Sequence, residues 1–110
     1  MTTINEQTSQ TFTADFYDEN NTPITPEIAM YSVHDVGSGT AIIPETQITP
    51  LSPSVEIETS TDDNKILNDS NDKETRNLTV RFKYRNSKGE LVKGNTIEMY
   101  WDILNLKYIN

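Results

Sequence analysis

The chain has 110 residues, 34% hydrophobic and 24% charged, and its 17 acidic against 9 basic side chains leave a formal charge of −8. That length suits one folded unit with a thin two-layer core, and the negative charge repels phosphate backbones, which argues against direct nucleic-acid binding. The lack of cysteine excludes disulfides, thiolate metal sites and a cysteine nucleophile, and one histidine, His34, excludes a multi-histidine zinc site.

Residues 1–9 are almost entirely Thr, Asn, Gln, Ser and Glu with Ile4 as anchor, and they are expected to form a flexible arm that could order on a partner. They lack the basic and hydrophobic regions of a signal peptide, and no apolar run approaches the ~20 residues of a membrane span. The expected address is therefore cytosolic synthesis with no membrane contact. Residues 10–110 are expected to form one domain. In residues 10–18, Phe12, Ala14 and Phe16 alternate with polar residues, the period of a half-buried strand. Residues 19–23 carry two asparagines and a proline, a turn cluster. A second strand, residues 26–36, has two candidate faces: Ala29, Tyr31 and Val33, or Ile28, Met30, Ser32 and His34.

Gly37, Ser38 and Gly39 reverse the chain into a third strand at residues 40–43, and Pro44, Pro50 and Pro53 predict an irregular stretch after it. Val55, Ile57 and Thr59 alternate with Glu56 and Glu58, a further strand with its acids in water. Residues 62–67 suit a single helical turn capped by Thr61 or Asp62. The strongest pattern is the last: residues 76–84 and 96–106 alternate around a turn at Ser87, Lys88 and Gly89, a long hairpin. Its inner rows are Leu78, Val80, Phe82 and Tyr84 on one strand and Ile97, Met99, Trp101 and Ile103 on the other. Glu74 and Arg76 share the first row's parity and are expected to close the end of the core as an exposed pair, worth ~0–1 kcal/mol. Tyr100 and Leu104 fall outside with Glu98 and Asp102, and an aromatic among acids on an outer face suits docking.

Patterns that could carry chemistry are weak. Residues 68–74 are rich in Asn and Asp, but Lys73 sits where an EF-hand needs an oxygen and its turn glycine is absent. No nucleophile elbow accompanies the serines, and Gly37 to Gly39 is too short for a phosphate loop. The expectation is a non-enzyme without cofactor or metal. Arg76, Arg81, Lys83, Arg85, Lys88 and Lys93 concentrate in the last third, as solvated strand charge or as a basic face for an acidic partner.

Several segments together resemble a family of small virion structural proteins of tailed bacteriophages. These are the turn and threonine-proline run from Asp18 through Thr22 and Pro23 to Pro26, and the tyrosine strand from Tyr31 to Asp35 with its turn to Gly39. They continue with residues 50–57, with Asp63, Asn64 and Ile66, and with a Glu-x-Arg-x-Leu-Thr-Val pattern at Glu74, Arg76, Leu78, Thr79 and Val80. Tyr100, Ile103, Asn105 and Leu106 match the closing strand. The likeness spans residues 11–106; the final hairpin, with two glycines in residues 86–95, is longer than the family's.

The resemblance implies an all-β, immunoglobulin-like antiparallel sandwich of about seven strands. It implies a building block of the head, neck (head-tail connection) or tail, made in the host bacterial cytoplasm and carried in the virion. The implied partners are portal, neck, capsid or tail proteins, met by multiple copies around a symmetric particle, with no nucleic acid and no membrane. Tyr17, Lys88 and Tyr100 are the candidate contact residues. The alternative is a cell-surface or secreted immunoglobulin-like adhesion module.

Overall fold

A computed structural model describes residues 2–108; Met1 of the expected arm and the last two residues of the expected domain lie outside the described residues. In chain order the strands are β1 (Thr2–Asn5), β2 (Gln10–Asp15), β3 (Ile28–Asp35), β4 (Ala41–Gln47), β5 (Ser54–Thr59), β6 (Lys73–Arg85), β7 (Leu91–Lys93) and β8 (Ile97–Leu104). A short 3-10 turn, Leu106–Tyr108, follows. The fold is all-β. One sheet has the order β1-β8-β6-β3-β4, with β7 also on β6, and it faces a two-stranded sheet of β2 and β5. That is an immunoglobulin-like sandwich, in which β8-β6-β3 take the places of strands G, F and C and β2-β5 those of B and E.

The alternation read from the sequence sets the layers. Phe12, Ala14, Val55, Ile57 and Thr59 are buried from the smaller sheet, against Leu78, Val80, Phe82, Trp101 and Ile103 from the larger. Phe12 meets Trp101 with ring centroids 4.7 Å apart, and Phe16 meets Phe82 edge-on at 4.8 Å. Each such pair contributes about 0.5–1.5 kcal/mol beyond the area it buries. The face of β3 left open in sequence is settled by its partners: Ala29, Val33 and Asp35 point inward and His34 outward. The molecule measures 56 × 21 × 21 Å, and the 13 residues of β6 at roughly 3.3 Å each, about 43 Å, account for most of that length.

Several expectations are corrected. The described residues form eight strands, in keeping with the expected sandwich of about seven, but one pair departs from the antiparallel pattern: β1 runs parallel to β8, Thr2 opposite Trp101 and Asn5 opposite Leu104. The expected arm is thus tied down, because Ile4 sits opposite Ile103 and packs on the core. The third strand continues through Pro44 to Gln47. Proline is tolerated there because β4 is an edge strand with a register shift between Tyr31 and Val33 of its neighbour. The turn after β5 is a tight turn capped by Ser60, not Thr61 or Asp62: the Asp63 amide donates to Ser60 Oγ, and Asp63 Oδ2 accepts from the Ser60 amide. The return strand of the hairpin is split into β7 and β8. Gly94 marks the break, where its amide donates to the Phe82 carbonyl.

Candidate functional site

Register brings the end of β3 against the start of β6, with Asp35 opposite Arg76. Both side chains point inward, and Arg76, expected to be exposed, is fully buried together with Glu74. Arg76 Nη1 donates to Asp35 Oδ1 at 2.5 Å and to Glu74 Oε1 at 3.0 Å, and Nη2 donates to the Lys65 carbonyl at 2.8 Å. Its Nε is buried without a hydrogen-bond partner. The second Asp35 oxygen accepts from the Ser38 amide and hydroxyl. Glu74 accepts from the amides of Leu67 and Asn68 and from Asn71 Nδ2. Burial on its own would raise the Glu74 pKa, but the bonds from Leu67, Asn71, Asn68 and Arg76 outweigh it and hold the carboxyl below its ordinary 4.5.

All four carboxylate oxygens of the cluster therefore have donors. The Asn- and Asp-rich loop, superficially suited to calcium, is folded around Glu74 itself. A recess of about 550 Å³ beside it is lined by Asp35, Ser38, Asn71 and Glu74, side chains held by these internal bonds, and by Asn68, whose Oδ1 accepts from the Ser70 amide. Among the described residues no group of three or more His, Asp or Glu is placed to hold a metal. The arrangement pins loop to sheet. Asn64 does the same nearby, accepting from Trp101 Nε1 at 3.1 Å and donating to the Thr8 carbonyl and the Thr59 hydroxyl.

The expected contact residues are exposed but do not converge. Tyr17 follows β2, bridged to Pro23, and is 47% exposed. Lys88 lies in the β6–β7 turn, built on Asn86, which accepts from the Lys88 and Glu90 amides. Tyr17 and this turn share one end of the molecule, since Tyr84 near the turn reaches Glu19 with its hydroxyl. Burial first, then the Glu19 carboxylate, pushes the Tyr84 phenol above its ordinary 10.0. Tyr100 stands elsewhere, on the outer face of β8 opposite Asn77, its hydroxyl 3.3 Å from Glu98. His34 is on the same outer face, exposed and also opposite Asn77.

Apart from Lys88, the basic residues that concentrate in the last third divide three ways. Arg76 is buried, Arg85 pairs with Glu27 at 2.8 Å, and Arg81, Lys83 and Lys93 lie along the outer face of the larger sheet. Sequence reasoning missed the partnership of Asp35 with Arg76. The available signal was that Asp35, Glu74 and Arg76 all belong to the segments carrying the family resemblance, although nothing local joins them. Compared with family models, curated proteins and solved structures, the chain matches none.

Proposed function

We propose that this chain is a non-enzymatic structural component of a tailed-bacteriophage virion, an assembly or adaptor piece of the head, neck or tail. The observation that carries the reading is where its motif residues go. Glu74 and Arg76, the charged positions of the Glu-x-Arg-x-Leu-Thr-Val segment, are consumed with Asp35 in locking one end of the sandwich. The segment that resembles the virion family is thus spent on rigidity, which suits a brick whose exterior makes the contacts. The exterior elements are Tyr100 on the outer sheet face, and Tyr17 with the turn around Lys88 at one end. Portal, neck, capsid or tail proteins are the partners, and placement of many copies on a ring makes weak contacts collectively strong.

Mass spectrometry of purified particles from a phage carrying this sequence tests the assignment, followed by fitting the sandwich into density of the intact particle. The reading expects stoichiometric copies at a symmetric position, with Tyr17, Lys88 or Tyr100 at a boundary. Particles lacking the chain overturn it.

A further inference from the structure

The outer face of the larger sheet mixes acids, Glu98 and Asp102 of β8, with a basic patch near the β6–β7 turn, whereas the outer face of the smaller sheet is acidic. On the larger sheet, Lys83 of β6 sits directly opposite Lys93 of β7, and Arg81 lies two residues along the same strand and face. Like charges directly opposite in a ladder repel. Among the described residues the ion pairs involve Arg76 and Arg85, so none neutralises these three. They border a depression of about 410 Å³ whose floor includes Ile28 and Met30 and which holds one acid, Glu45. On the opposite side, the outward residues of β2 and β5 are Thr11, Thr13, Asp15, Ser54, Glu56 and Glu58, all exposed, and neither strand contains a basic residue.

The spacings match. Glu56 and Glu58 are separated by two residues on one face of β5, as Arg81 and Lys83 are on β6, so both pairs repeat at roughly 7 Å. Asp15, opposite Ser54, lies diagonal to Glu56 across the β2–β5 pair, roughly 7–8 Å away. Lys93 sits directly across from Lys83 on the neighbouring strand, nearer to it, at roughly 5 Å, than Asp15 is to Glu56, a difference that the long lysine side chains can span. Three acids on a narrow two-stranded ridge thus complement, in charge and in their repeat along the strand, three bases around a depression in a broader sheet. We propose that copies of this chain associate head to tail, the acidic β2–β5 ridge of one seated on the Arg81, Lys83 and Lys93 face of the next.

Such a contact is heterologous: each copy uses one face as donor and the other as acceptor, so the assembly is a closed ring or an open row. The net charge of −8 opposes it at long range. At about 0.1 M salt the Debye length is about 10 Å, which screens that repulsion more than ion pairs in contact. The inference does not rest on the virion reading, because it concerns the isolated chain in solution.

Sedimentation velocity over a range of protein concentrations tests it on the full chain. At about 0.1 M salt, concentration-dependent oligomers are expected, dissociating at about 1 M salt, where the Debye length is about 3 Å. The double variants Lys83→Glu/Lys93→Glu and Glu56→Lys/Glu58→Lys should each weaken association by about tenfold or more. Mixing the two variants should restore it, since each retains the native face that the other has lost. That rescue also shows that both variants are folded. A wild-type monomer at every concentration, or oligomers indifferent to both charge reversals, overturns the proposal. So does a monomer that binds an oligo-glutamate peptide through Lys83 and Lys93, which would make the occupant a foreign acidic chain.

Discussion

Arg76 and Asp35, 41 residues apart in sequence, meet at 2.5 Å in the closed end of the sandwich, with side chains 0% and 6% exposed. Removing one partner of a buried pair leaves an uncompensated charge. Asp35→Ala is therefore expected to cost about 3–5 kcal/mol, measured by urea denaturation. A loss under about 1 kcal/mol, the range of a surface pair, would mean that Arg76 is solvated in solution.

Acid sensitivity follows from Glu74. Its folded-state pKa is depressed, so the stability it supplies is fully present above about 4.5 and is lost as pH falls through the lowered folded value. Melting temperature should drop across that acid range. Glu74→Gln should lower stability at neutral pH, because the amides of Leu67 and Asn68 lose a charged acceptor, and should flatten the acid slope. An unchanged slope in the variant would assign the acid transition to other carboxylates.

Gly94 is required by space, not by its dihedral angles. A Cβ built there would lie 2.1 Å from the Phe82 ring, so Gly94→Ala must displace that ring and is expected to cost about 1–3 kcal/mol or more. Gly89 has φ +78° and open space around it, so Gly89→Ala meets only the left-handed backbone penalty, roughly 1–2 kcal/mol. Adding Phe82→Leu should relieve part of the Gly94→Ala cost and none of the Gly89→Ala cost, a coupling that a double-mutant cycle reads directly.

Phe82 itself is 6% exposed and packs on Phe16 and Tyr84. Phe82→Ala should cost about 3–5 kcal/mol. An unshifted melting temperature would place the opposite face of β6 in the core.

Asn64→Ala should leave the buried Trp101 indole N–H without its acceptor and remove a donor from the Thr8 carbonyl and from the Thr59 hydroxyl, which keeps its own bond to the Gln10 carbonyl. One buried group left without its partner costs about 1–3 kcal/mol, so the variant should fall within that range. Trp101 fluorescence should shift to the red as water reaches the ring.

The strand faces were legible in residue order because the two-residue period needs no knowledge of the partner: Phe12, Ala14, Leu78, Val80, Phe82, Trp101 and Ile103 were assigned inward from parity alone, and all are buried. The turns at Gly39 and Gly89 were legible for the same local reason. What parity cannot carry is pairing across sequence. Ile4 is one apolar residue in a polar stretch, and its value comes from the open edge of β8, which the local sequence does not reveal. Glu74 and Arg76 looked like a weak surface pair because their environment is built by Asp35, Leu67 and Asn71, brought in from other segments. The charged faces follow the same division. Alternation dictated that Lys83 and Glu56 point outward, but their placement on opposite sides of one body depends on which sheet each strand joined. That choice is a matter of long-range burial and hydrogen bonding, and it is made by the assembled layers.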